Sequence, residues 1–471
     1  MGCARSAETL GPVPSWVSVD PYDPPMAIHA PAASTRSPSA TWSGALAGTA
    51  LWCVLVGVAI VWGFALVADR PEMRVSAAPF VGTWERSVAD EGALWRAVLI
   101  GAVAVAGAPA VARRLPWRAV VAAAALLGVM WVVALNAVDG PEARRGPLTS
   151  RYEYVAGISD VDAAGGVAPY LDTFTDRISD YPTHVRGHPP GLVVVLSVAD
   201  RVGLDPVDTA LGLVLAGWGI AISSALVATR HVAGEAGARR VAPLLALAPA
   251  AVWAGTSADA FFAGVVGAAV AALVVATGAD EHRSDGFAAV GGLLVGASLL
   301  LSYATVPVLA IPVVVALVRR RVRPLAIGAA VAAATLAVAG LTGFWWPAGL
   351  LATRDEYHAG LASVRPFGYF AVGNLAAVAV AVGPALGGGI AGLARRLGPG
   401  ALAVGALIGV AMADGSGFSK GETERIWLVF VPWLATAAAF LPGRPDQVGR
   451  VWVAGHVALG LGLQAGLRTP W

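Results

Sequence analysis

Charge and cysteine are what this sequence has least of. Asp, Glu, Lys and Arg fill only 13% of its 471 positions, against about a quarter in a soluble domain. The net charge is only +2, and the short arginine clusters fall between apolar segments, so no basic run suggests a nucleic-acid-binding surface. Cys3 and Cys53 are the only cysteines, and Cys53 sits in an apolar run. That leaves no disulfide framework and no thiolate metal site. Lys and Ile give way throughout to Arg, Ala, Val and Gly, a usage that points to a GC-rich bacterial genome. Residues 1–41, rich in Pro, Ser and Ala, lack the apolar core of a signal peptide and read as a disordered cytoplasmic tail.

Apolar residues fill the space that charge vacates. They make up 57% of the chain, with a mean hydropathy of +0.70. Apolar segments fall at about 43–67, 95–112, 117–136, 206–229, 241–255, 259–277, 286–302, 306–318, 325–343, 368–393, 399–413, 426–441 and 450–466. The expected fold is all-α, a polytopic transmembrane bundle with about 11–13 spanning helices, forming one domain over 42–471. Arginine clusters orient it, because short cytoplasmic loops collect positive charge. These are Arg113, Arg114 and Arg118; Arg230, Arg239 and Arg240; Arg319, Arg320, Arg321 and Arg323; Arg395 and Arg396; Arg444 and Arg450.

Alternation then leaves room for one crossing between 188 and 230, yet two apolar segments lie there, 189–203 and 206–229. The first has about 15 residues, too few to span comfortably. It is expected to be a re-entrant or membrane-surface helix on the outer side, where broken backbone lines a protein cavity. The outer loop, 137–205, is far longer than a plain helix connection. Further polar groups reach the same side at TSADAFF (256–262), at Arg354, Asp355, Glu356 and His358, and at Asp414, Lys420, Glu422, Glu424 and Arg425. The predicted helix centres carry almost no charge, whereas an ion-coupled transporter keeps ionisable groups near the midplane. This pattern favours chemistry at the outer membrane face.

Four short stretches appear in order: RYEY (151–154), HPPG (188–191), TSADAFF and ETERIW (422–427). In this order and spacing, over about 117–277 with an echo at 420–433, the chain resembles the GT-C class of integral-membrane glycosyltransferases. The HPP element is like that of protein O-mannosyltransferase-type and aminoarabinose-transferase-type members. Two apolar segments, 43–67 and 95–112, precede the one that looks like the family's first helix. The resemblance implies an enzyme that moves a sugar from a polyprenyl-phosphate donor to a cell-envelope glycan, lipid or protein acceptor. It also implies a multi-pass cell-membrane protein with a cytoplasmic N-terminus and an extracytoplasmic active site.

Such a transfer needs a carboxylate to take the acceptor proton, cationic donors for the leaving phosphate, and a groove for the lipid. The base is either Glu153, beside Tyr154, or Asp139, just past a helix. Glu153 could instead pair with Arg151, and Asp139 could simply end its helix at an Asp-Gly turn. Substrate-binding candidates are Arg151, Tyr154, His184, Arg186, His188, Asp259, Glu424 and Arg425. Each has a plainer alternative. His188 before Pro-Pro could cap a helix, Asp259 could be a first-turn acid, and Arg425 could snorkel to the headgroups. Trp345 and Trp346 read as interface-belt residues. His184, His188 and a carboxylate are side chains that can hold zinc. Without a compact ligand motif, substrate binding is the expectation for them, and a divalent metal remains an alternative. A lipid-linked-sugar flippase or exporter, or a non-catalytic GT-C-like partner, are the competing functions.

Overall fold

Aspartates placed just ahead of apolar runs start several of the long helices. Asp90 accepts the Ala93 amide at 2.9 Å, Asp205 that of Asp208 at 2.8 Å, and Asp280 that of Arg283 at 3.1 Å. Each satisfies an N–H that a helix start otherwise leaves open. The computed structural model describes residues 41–393, 396–443 and 447–471. The expected 1–41 tail, apart from Thr41, and Arg395 and Arg444 of the basic clusters lie outside the described residues.

The fold is all-α. Among the described residues the one sheet is a two-residue antiparallel pair, Thr83–Trp84 with Leu467–Arg468. Six described helices are long and apolar enough to cross a membrane: Trp42–Asp69, Glu91–Arg114, Trp117–Asp139, Pro206–Ala246, Asp259–Ala276 and Arg323–Leu341. Phe367–Val382 and Ala385–Leu393 add a seventh if taken as one span, bent by 102°. The difference from the expected number lies in segments that are broken, joined or too short to span. At 368–393 the chain breaks at Gly383, with φ of +99°, followed by Pro384, which has no N–H to continue a helix. The expected segments 206–229 and 241–255 are instead joined, one helix running from Pro206 through a kink at Gly234 (φ 81°) to Ala246. Tyr303–Arg319, Ala401–Gly415 and Val431–Phe440 are shorter apolar helices. Breaks of this kind are tolerated where surrounding protein satisfies the freed backbone.

Close packing at the centre rests on small residues. A Cβ added to Gly217 would lie 2.4 Å from the Phe261 Cα, and one on Gly264 would lie 2.5 Å from the Gly217 carbonyl oxygen. The Pro206–Ala246 and Asp259–Ala276 helices therefore touch backbone to backbone, the usual means of association where lipid removes the hydrophobic drive between helices.

Arginines gather at one end of this pair. Arg239 donates to the carbonyls of Ala112 (2.6 Å) and Leu115 (2.9 Å), and Arg240 to those of Ala439 (3.1 Å) and Leu441 (2.9 Å). Arg319 donates to the Thr277 hydroxyl at 2.9 Å and to the His231 carbonyl. Cations are favourable at such helix C-termini. The 18-residue Asp259–Ala276 helix runs about 27 Å away from that end, at ~1.5 Å per residue. Its first residue, Asp259, therefore lies at the opposite face.

The long loop folds over that opposite face as one- and two-turn helices: Arg145–Leu148, Ile158–Ala163, Val167–Thr173 and Thr183–Arg186. An aromatic cluster of Tyr170, Phe174, Tyr181 and Phe344 holds it down. The 189–203 segment is an 11-residue helix, Gly191–Arg201, only about 16 Å long. Its start is seated by the Gly191 amide on the Leu300 carbonyl at 3.1 Å. A Cβ on Gly191 would lie 2.3 Å from that oxygen, so the glycine of HPPG is required by the close approach.

Candidate active site

The four stretches singled out in the sequence converge at the start of the Asp259–Ala276 helix. The His184 amide donates to the Tyr152 carbonyl at 2.9 Å, which ties RYEY to the segment before HPPG. Beside this tie, Glu153 Oε1 lies 2.6 Å from His184 Nδ1, and His184 Nε2 lies 3.0 Å from Arg425 Nη2. An arginine guanidinium has donors only, so His184 Nε2 accepts. The imidazole is then neutral, with its proton on Nδ1, and donates to Glu153.

Arg425 is the hub. Its Nη1 donates to Asp259 Oδ2 at 3.1 Å and its Nη2 to Glu422 Oε2 at 2.7 Å, while its guanidinium carbon lies 4.6 Å above the Trp471 ring. Burial works against its charge, but Glu422, Asp259 and Glu153 outweigh burial and hold its pKa above the ordinary value. Arg425 is therefore enclosed by carboxylates and does not snorkel. Asp259 is held in turn by the Ser257 hydroxyl at 2.5 Å. Burial also opposes the charge of Glu422, but Arg425, Arg365 and His184 bring its pKa below the usual value.

His188 does not cap the helix that follows. Its Nδ1 donates to the His184 carbonyl at 2.9 Å, and its ring packs against Tyr154 (5.5 Å) and Phe262 (5.6 Å). Burial lowers its pKa to about 4, so it is neutral at pH 7. Buried Tyr154 completes this wall, and burial pushes its hydroxyl well above the usual range. Glu424 is fully buried, and neither carboxyl oxygen makes a hydrogen bond of good geometry within the described residues. Burial, reinforced by the Glu422 charge, raises its pKa to about 8.

The remaining expected residues lie elsewhere or at the edge. Arg151 does not pair with Glu153; its guanidinium donates to the Tyr152 hydroxyl at 2.6 Å. Arg186 reaches Glu356 Oε2 at 3.4 Å, and its carbonyl accepts from Thr353 at 3.1 Å. Asp139 accepts from Ser87 at 3.0 Å and Gln464 at 2.7 Å, partners outside the cluster. Both nitrogens of His184 are engaged, and among the described residues no three His, Cys, Asp or Glu side chains are grouped to hold a metal ion. Glu153 also lines an apolar crevice with Leu148, Val155, Leu192, Leu196 and Leu213.

Sequence reasoning passed over Glu422 as a site residue and missed Ser257, Arg365 and Trp471. Two signals were available: Glu422 precedes Arg425 by one helical turn, and Ser257 precedes Asp259 by two residues. Arg365 and Trp471 arrive from distant stretches, and nothing local marks them.

No family model matches the sequence, and no curated protein matches it. One solved structure resembles the chain: the crystal structure of the Archaeoglobus fulgidus oligosaccharyltransferase in complex with zinc and sulfate. It aligns at 15% identity with a TM-score of 0.47, covering 75% of this chain and 54% of that one. The chain thus spans about half the length of that protein.

Proposed function

We propose that the protein is a GT-C-like membrane glycosyltransferase, moving a sugar from a polyprenyl-phosphate donor to a cell-envelope acceptor on the extracytoplasmic face. The observation that carries this reading is the Glu153–His184–Arg425–Asp259 chain, largely buried and assembled from four separated stretches of the sequence. The acceptor oxygen attacks the sugar carbon and the bond from that carbon to the phosphate oxygen breaks. Glu153 takes the acceptor proton, and the phosphate leaves with its electron pair toward Arg425. Glu153 is favoured over Asp139 as the base because it shares the cluster with the cationic group. The Arg-rich end, opposite the cluster, supports a cytoplasmic side there. The apolar crevice beside Glu153 suits a lipid chain.

The full chain in nanodiscs, given labelled decaprenyl- or undecaprenyl-phosphate sugars and envelope acceptors, tests this. Wild-type protein should transfer label, Glu153→Gln should lose about 10²-fold or more, and Asp139→Asn should retain most of its activity. Equal activity of Glu153→Gln and wild type refutes the assignment. One observation favours a second reading, a non-catalytic partner on the same scaffold: the Nη groups of Arg425 are already taken by protein acceptors. Absence of transfer with any donor would support that reading.

A further inference from the structure

We propose that Arg365 and Arg425 form a two-arginine phosphate site, and that the Glu422 carboxylate occupies it as a displaceable internal substitute. The transferase reading supplies the identity of the anion, not the existence of the site.

Glu422 sits between the two cations. Its Oε2 lies 2.7 Å from Arg425 Nη2 and its Oε1 lies 3.7 Å from Arg365 Nη1. Arg365 is only 6% exposed and Arg425 5%, and among the described residues each keeps one buried nitrogen without an acceptor, Arg365 Nη2 and Arg425 Nε. A buried donor left unmatched is costly. The pair therefore has more donor capacity than one carboxylate fills. A phosphate brings more acceptor oxygens and more charge, and its geometry suits the guanidinium fork.

The carboxylate is also the part that can leave. Its side chain is 24% exposed, against 5% and 6% for the arginine side chains. Glu422 holds a left-handed backbone, φ 64°, which a residue with a Cβ seldom adopts. Gly417 (φ 69°) and Gly421 (φ 94°) precede it in the same strap, giving the chain freedom to re-aim. Each arginine keeps an anchor outside the strap: Arg365 donates to the Met73 carbonyl at 3.0 Å and Arg425 to Asp259 at 3.1 Å, whereas the Arg365 bond to the Lys420 carbonyl (2.7 Å) lies within the strap. Displacement of Glu422 leaves both cations in place.

The test is binding without turnover, on the full chain in nanodiscs. Inorganic phosphate, undecaprenyl phosphate and uncharged undecaprenol are titrated separately, following tryptophan fluorescence because Trp471 stacks on Arg425. Glu422→Gln should bind the phosphate ligands about tenfold tighter than wild type, since a neutral amide competes less well than a carboxylate for arginine. Arg365→Met should weaken binding in both backgrounds. A response to inorganic phosphate identifies a free-phosphate site; a response to the lipid phosphate alone identifies a headgroup site. Unchanged affinity in folded Glu422→Gln overturns the proposal.

Should Glu422 variants not fold, Lys420→Cys in a chain lacking Cys3 and Cys53 provides the readout. Its labelling rate should rise on adding the phosphate ligand, and an unchanged rate overturns the proposal equally. Transfer activity with unaltered phosphate binding would sink this inference alone, whereas altered binding without transfer would sink only the transferase reading.

Discussion

Glu424 offers a test that needs no knowledge of the substrate. Its carboxyl is fully buried, and its pKa rises from the ordinary 4.5 to about 8, chiefly by burial. Between those values the folded protein keeps a proton that the unfolded chain has lost. The stability this supplies is complete below pH 4.5 and is lost as pH rises to about 8. At about 1.4 kcal/mol per pH unit, the whole window is worth on the order of 3–5 kcal/mol, the upper end assuming no water enters. Between pH 6.5 and 8 alone the loss is about 2 kcal/mol. Glu424→Gln has nearly the same shape and no proton to lose. Thermal unfolding of both proteins in nanodiscs at pH 5, 6.5 and 8 isolates the effect, because other titrating groups cancel in the difference. The variant should match wild type near pH 5 and become progressively more stable toward pH 8. Parallel curves across that range would refute the assignment of a buried neutral acid.

His188 acts in the opposite direction. With its pKa lowered by burial to about 4, its contribution is lost as pH falls from 6.5 to 4, so His188→Gln should flatten the acid side of the stability curve. The two bonds of His184 can be separated by substitution. Asn can mimic the Nδ1–H donor to Glu153, while Gln can offer an acceptor to Arg425. If positioning the base matters more, His184→Asn should keep more transfer than His184→Gln, each lost charge-assisted bond costing about 10- to 100-fold; equal rates contradict this. Gly217→Ala should destabilise by about 1–3 kcal/mol, because its Cβ meets the Phe261 backbone at 2.4 Å. An unchanged melting temperature would mean the two helices are not in backbone contact.

Much of this protein follows from one-dimensional pattern. Apolar runs determine that the chain is helical and can cross a membrane, and Asp90, Asp205 and Asp280 mark where helices begin, because these effects act within a few residues. The order RYEY, HPPG, TSAD and ETER marked the cluster's members for the same reason: each motif is local. Hydropathy did not reveal the break at Gly383, since a broken apolar run reads like a whole one, and it separated 206–229 from 241–255 where a single helix continues through a kink at Gly234. Only the tertiary structure decided which acids share the site. It set Glu153 against His184 and Arg425, and placed Asp139 with Ser87 and Gln464. It also brought Arg365 and Trp471 to the cluster from far along the chain. The physical reason is that burial and pairing depend on neighbours in space, and in a low-dielectric interior those neighbours decide whether a carboxylate is paired, neutral or ready to accept a proton.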